Sequence, residues 1–148
     1  MKMFRGRYCH NTDSKGRVSV PARFREILSA HYEEVLVITN FDRCLVAFPT
    51  QEWAAIEERT KELSMLQKDA RAFIRYFYSG AMECRLDRQG RVLIPPSLRE
   101  FAHIDKEVML IGAANRIELW SKEVWEEFIQ QSEENFEEIA ARLSEFGL

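Results

Sequence analysis

Asp13-Ser-Lys-Gly16-Arg17-Val18-Ser-Val20-Pro21-Ala-Arg-Phe24-Arg25 is repeated 74 residues later as Asp87-Arg-Gln-Gly90-Arg91-Val92-Leu-Ile94-Pro95-Pro-Ser-Leu98-Arg99. The offset is half of the 148-residue chain. An internal repeat of this length sets the architecture before any local pattern does. Two copies are too few for a solenoid, so two halves folded together about a pseudo-twofold axis are expected. Any chemistry carried by the motif is then presented twice on one body.

The likeness extends on both sides of the motif. Phe4-Arg-Gly6 matches Tyr78-Ser-Gly80 at the same offset. Val35-Leu-Val-Ile38 matches Val108-Met-Leu-Ile111 at an offset of 73, and Ala47-Phe48 leading to Trp53 matches Leu119-Trp120 leading to Trp125 at 72. The drift falls in connections, where a change of length costs little.

Turn chemistry explains the motif. Asp at the first position and Gly at the fourth suit a type I turn, so Asp13–Gly16 and Asp87–Gly90 read as hairpin tips. Val18-Ser-Val20 alternates as a half-buried strand does, and its expected partner is the segment around Tyr8 to Asn11. Pro21 holds Val20 extended and suits the first turn of a helix. That helix runs through Phe24, Ile27 and Leu28, with Leu98, Phe101 and Ala102 as the equivalent stripe.

The remaining elements follow from pattern. Val35–Thr39 and Cys44–Phe48 form a hairpin, which Val108–Ile111 and Ile117–Trp120 repeat. Trp53, Ile56, Thr60 and Leu63 share a helical face, and Ala70, Phe73 and Phe77 continue it after a break near Ser64. Ser121 is the expected N-cap of a last helix. Its face is Trp125, Phe128, Ser132, Phe136, Ile139, Leu143 and Phe146, with Trp125 and Phe128 read as core. The class is α+β, strand–strand–helix–strand–strand–helix in each half. The halves are residues 1–76, with the connecting helices, and 77–148, with an acidic C-terminal helix. Either alone has little core, so mutual burial is expected.

Composition excludes several classes. Hydrophobic residues make up 46% and charged residues 30%, which is not the balance of a disordered chain. No apolar stretch approaches the roughly 20 residues of a membrane span, and the opening Met-Lys-Met-Phe-Arg-Gly-Arg is unlike a signal peptide. Cys9, Cys44 and Cys84 are odd in number and lack Cys-x-x-Cys spacing, which suits free thiols in a reducing compartment. The net charge of −3 conceals an asymmetry. Residues 1–30 hold seven Lys or Arg against two acids, whereas residues 121–148 hold eight Glu against Lys122 and Arg142.

Asp-x-x-x-Arg followed by Val-x-Val/Ile-Pro, twice in about 150 residues, resembles the MraZ family. Met3-Phe-Arg-Gly6, Asp13 to Pro21, and Glu107-Val-Met-Leu-Ile-Gly112 with Glu118-Leu-Trp120 carry the resemblance over nearly the whole chain. One copy would suggest only the wider AbrB-like group, of which SpoVT and some antitoxins are members. The resemblance implies two tandem AbrB-like swapped-hairpin β-barrel halves, each followed by helices. It further implies a bacterial transcriptional regulator, likened to repressors that bind short promoter repeats ahead of the division and cell-wall gene cluster and so control their own gene. Its implied partners are double-stranded promoter DNA and further copies of itself in a ring. Its implied location is cytoplasmic and nucleoid-associated.

The residues support a DNA role on their own. Arg17 and Arg91 follow a tight turn, and Lys15 and Arg88 lie within it. Arginine reads guanine bidentately and grips phosphate as a fork, and a two-stranded ribbon fits the major groove. Two jobs fit Asp13 and Asp87: capping the turn and fixing the neighbouring arginine, or accepting a hydrogen bond from a base. Arg5, Arg7, Arg23, Arg25 and Arg99 are candidate phosphate contacts. The first copy, with Lys15, Arg23 and Arg25, is expected to be the stronger site. The acidic last helix is expected to face away from DNA or to pack between subunits.

Other chemistries find no motif. His10, His31 and His103 lack ligand spacing, and Cys9-His10 would point to opposite faces of a strand. Gly16 and Gly90 stand singly, not in a phosphate loop, and no nucleophile elbow occurs. No cofactor, metal, small-molecule substrate or catalytic residue is therefore assigned. A ring or antitoxin-like interaction scaffold, and more remotely a metal-dependent hydrolase using Asp13, Glu83 and Asp87, are the alternatives to the regulator.

Overall fold

The computed structural model describes residues 3–147. Lys2, one of the seven N-terminal cations, lies outside them. The elements are β1 (Phe4–Asn11), β2 (Arg17–Ser19), α1 (Ala22–His31), β3 (Val35–Phe41), β4 (Cys44–Pro49), α2 (Thr50–Thr60) and α3 (Lys68–Ser79). They continue with β5 (Met82–Arg85), β6 (Arg91–Leu93), α4 (Pro96–Phe101), β7 (Glu107–Ala114), β8 (Ile117–Ser121) and α5 (Lys122–Arg142), then a 3₁₀ turn at Ser144–Phe146. The fold is α+β, with the order strand–strand–helix–strand–strand–helix occurring twice and a helix break after Thr60.

Strand pairing shows how the two copies are joined. The larger sheet is antiparallel, in the order β1-β7-β8-β4-β3-β5. Each copy therefore lends its first strand to the other: β1 pairs with β7, and β5 with β3. The central pair β4–β8 sets Val46 opposite Glu118, its own counterpart at the offset of 72. A second sheet contains β2 and β6 alone, with Val18 opposite Val92, again its own counterpart. Both pairs mark the pseudo-twofold axis.

This pairing corrects one expectation. β2 does not form a hairpin ladder with Tyr8–Asn11; its partner is β6. Between the arms of the local turn one backbone bond is left among the described residues, Asp13 N–H to the Arg17 carbonyl (2.9 Å). β1 is occupied by β7 along all eight residues. Pairing β2 with β6 buries Val18, Val20, Val92 and Ile94 to 2% exposure or less. Each such side chain contributes about 1.5–3 kcal/mol on burial, which outweighs a short local ladder.

The large sheet separates two apolar layers because side chains alternate along each strand. On one face, Leu36, Ile38, Leu45, Ala47, Val108, Leu110, Ile117 and Leu119 meet the β2–β6 ribbon, Phe24 and Leu28 of α1, and Leu98 of α4. On the other, Cys44, Val46, Phe48 and Trp120 meet Phe77 of α3 and Trp125 of α5, with Trp53 and Phe128 packed alongside. Trp125 and Phe128 are thus part of the core, as expected.

Three local expectations differ. Ser121 makes no side-chain cap. Pro49 occupies the same place before α2 with the same extended backbone and likewise supplies no cap. Phe101 is 36% exposed and meets the ring edge of Tyr76, because α4 ends there and the chain turns back through Ala102 and Ile104. The stripe on α5 packs only as far as Ile129; Phe136, Ile139, Leu143 and Phe146 are exposed, as is Leu63 after α2.

Candidate nucleic-acid interface

Each Asp–Gly turn is organised by its own carboxylate. Asp13 Oδ1 accepts the backbone N–H groups of Lys15 and Arg17, both at 2.9 Å. Its Oδ2 accepts Arg17 Nε–H at 2.7 Å. Asp87 repeats the arrangement with Gln89 N, Arg91 N and Arg91 Nε, all at 2.9 Å. Gly16 N–H and Gly90 N–H close the turns onto the carbonyls of Asp13 and Asp87 (3.0 Å each), with φ of +86° and +75°. Such angles favour glycine.

These donors favour the charged carboxylate. The Arg17 backbone N–H, then its guanidinium, holds the Asp13 carboxyl down at about 2, and the equivalent bonds from Arg91 lower Asp87. The aspartates therefore cap the turn and fix the arginine together. With Nε tied down, both terminal nitrogens of Arg17 are left without a protein acceptor among the described residues. Arg91 Nη1 lies 3.8 Å from Asp13 Oδ2, so the two turns are also ion-paired across the axis.

Further bonds lock the turns together. Val20 N–H donates to the Gly90 carbonyl (2.9 Å), and Ile94 N–H to that of Gly16 (3.1 Å). Arg25 Nε–H donates to the Val20 carbonyl at 3.0 Å and packs on Gly90 of the opposite turn. Arg99 Nε–H does the same with Ile94 (3.1 Å) and packs on Gly16. A methyl group on either glycine would collide with that guanidinium. These crossed clamps were not legible from spacing. The only sequence sign is that both arginines stand four residues after a matching proline.

The structure thus gathers Asp13, Lys15, Arg17, Arg25, Asp87, Arg88, Arg91 and Arg99 around the ribbon, six cations to two carboxylates. Ser14, Lys15, Arg88 and Gln89 are exposed at the turn apices, and Arg17 and Arg91 keep 31% and 27% of their side chains accessible. A depression of about 640 Å³ lies beside the second turn, lined by Arg25, Glu26, Glu34, Asp87 and Arg88. Three candidates lie elsewhere. Arg5 joins Arg23 beside Phe24, eight residues along the chain from Asp13. Arg7 sits on the opposite face of the sheet, its guanidinium 5.7 Å from the Trp125 ring centroid. The acidic α5 packs on that opposite face too, away from the ribbon.

A family model described as "MraZ protein, putative antitoxin-like" matches residues 3–76 and again 77–147. The chain is 48% identical over 141 residues to "Transcriptional regulator MraZ" of Desulforamulus reducens, covering 95% of this chain and 97% of that protein. It is 49% identical over 146 residues to the protein of the same name from Caldanaerobacter subterraneus subsp. tengcongensis, covering 99% and 100%. The solution structure of PHS018 from Pyrococcus horikoshii is similar at 14% identity and a TM-score of 0.35, covering 75% of this chain and 91% of that one.

Proposed function

Since the chain belongs to the MraZ family, a family of transcriptional regulators and not of enzymes, we propose that it is a sequence-specific DNA-binding regulator whose contact surface is the β2–β6 ribbon and its two Asp–Arg turns. Residues 1–76 and 77–148 are its two halves, an intramolecular version of the swapped-hairpin barrel. The observation that carries this reading is the buttressed arginine, repeated across the axis: Nε is held by an aspartate in both turns, the terminal nitrogens of Arg17 are left for an outside acceptor, and Arg91 Nη1 lies 3.8 Å from Asp13 with Nη2 left over. Such a fork matches the O6 and N7 atoms of guanine. Holding the rotamer in advance lowers the entropy lost on binding.

Lys15, Arg88, Arg25 and Arg99 surround the forks and supply phosphate contacts, and Asp13 and Asp87 act through the arginines they hold. The target is a set of short promoter repeats ahead of the division and cell-wall genes, including the regulator's own gene. Self-association into a ring places several ribbons on successive repeats and excludes polymerase. Its place of action is the cytoplasm, at the nucleoid.

Arg17→Ala combined with Arg91→Ala tests the reading. Each lost bidentate contact costs about 1–3 kcal/mol of discrimination. In a gel shift against scrambled competitor, the double variant should lose specific binding while its circular dichroism stays unchanged. Retained specificity would remove both arginines from the interface. An interaction scaffold without promoter recognition would show no specific shift even for the unaltered chain.

A further inference from the structure

The β2–β6 ribbon has an inner and an outer face. Val18 and Val92 point inward and are buried, so Arg17, Ser19, Arg91 and Leu93 share the outer face. They form two rungs: Arg17 lies opposite Leu93, and Ser19 opposite Arg91. The two arginines are counterparts in the repeat. Ser19 and Leu93 are counterparts as well, yet one is polar and the other is not. On the outer face of the two strands, the pseudo-twofold symmetry is broken at this position.

Leu93 is 49% exposed. A single exposed leucine is ordinary on a protein surface. Its setting here is not, because its neighbours on the face are two guanidinium groups and a hydroxyl. One apolar side chain among cations falls far short of the area that a protein partner needs. Duplex DNA offers it a matching group, since the thymine 5-methyl is the apolar feature of the major groove. Residues directly opposed in an antiparallel pair have Cβ atoms about 4.5–5.5 Å apart. Successive bases of one strand rise about 3.4 Å. Leu93 is therefore placed to meet the base next to the one that Arg17 takes. The rungs also differ in their arginines. Arg91 Nη1 lies 3.8 Å from Asp13 Oδ2, whereas Arg17 keeps both terminal nitrogens for an outside acceptor.

We propose that Leu93 is a specificity-determining residue, seated on the 5-methyl group of a thymine beside the guanine read by Arg17. Ser19 gives the Arg91 rung a hydroxyl in the same place, which bonds to a donor or an acceptor and does not select for a methyl group. The inference rests on the DNA-binding reading above and adds one base to it.

The probe is a single-site duplex selected by the parent chain from a randomised pool, remade with uracil in place of each thymine in turn. Uracil lacks only the methyl group. At one position beside a guanine, the exchange should weaken binding by the parent about fourfold, the worth of one buried methyl. Leu93→Ser should bind both forms alike, and its unchanged binding to scrambled DNA reports that it is folded. Ser19→Leu, at an exposed position, should gain a second methyl-sensitive thymine when it selects from the same pool. Equal binding of thymine and uracil forms by the parent at every position would overturn the proposal. So would a methyl effect that survives Leu93→Ser, or a Leu93→Ser chain whose mass without DNA differs from the parent's in light scattering, since that places the leucine in a protein contact. A parent that selects no sequence would overturn the DNA-binding reading as well.

Discussion

Asp13 and Asp87 each accept three hydrogen bonds from their own turn, and this makes the turn geometry depend on pH. A carboxyl whose folded value is depressed contributes stability that is complete above its unfolded value near 3.8 and is lost as pH falls through the folded value. For Asp13 that window runs from about pH 4 to about 2. The melting-temperature difference between the parent and Asp13→Asn with Asp87→Asn should be constant from pH 7 to 5 and shrink between pH 4 and 2. A difference that persists at pH 2 would separate stability from these carboxylates. Gly16→Ala meets two obstacles, a left-handed backbone and the Arg99 guanidinium. The backbone cost alone is about 1–2 kcal/mol. Urea unfolding should show a lowered midpoint with an unchanged slope.

At the level of elements, the pairing of β1 with β7, β5 with β3 and β2 with β6 leaves neither copy of the repeat with a complete sheet. Residues 1–76 alone would expose the edge of β3 that β5 covers and the apolar face of β2. Unpaired edges of this kind seek another chain. Fragments 1–76 and 77–148 should therefore each be unfolded or self-paired, and should recover the parent far-ultraviolet spectrum at one-to-one stoichiometry on mixing. Independent monomeric folding of either fragment would contradict the strand exchange. The prolines act at this scale too. Pro21, Pro49 and Pro95 each precede a helix with φ between −52° and −55°, which fixes the extended entry to the helix, and none supplies a side-chain cap.

For the whole molecule, the proposed DNA reading makes affinity depend on copy number. One ribbon with a few phosphate contacts binds weakly, and each contact adds about −0.9 to the logarithmic salt slope. Lys15→Ala should reduce that slope by about one, equally on specific and scrambled DNA. Ribbons joined in an assembly gain roughly 10²- to 10⁴-fold on DNA whose repeats match their spacing. Titrating one-repeat and multi-repeat promoter fragments measures the gain; equal affinities would leave the assembly without a role in binding. The acidic α5 lies across the sheet from the ribbon, so it leaves the turns accessible.

The turn at Asp13–Gly16, its echo at Asp87–Gly90, the proline-led helices and the alternation that divides the sheet's two faces were all determined by the amino-acid sequence. Each rests on a preference felt within a few residues: an Asx turn, a fixed φ, a side-chain period of two. Only the tertiary structure decided which strand β2 pairs with, because backbone N–H and C=O groups carry no address and Val18 fits either neighbour. It likewise placed Arg25 and Arg99 on the opposite turns and took Arg7 to the far face, since contacts across about 74 residues depend on how the copies interlock. The row on α5 followed the same division. Its helical period was readable, but its solvation past Ile129 was not, because burial belongs to whatever lies opposite a side chain and not to the side chain itself.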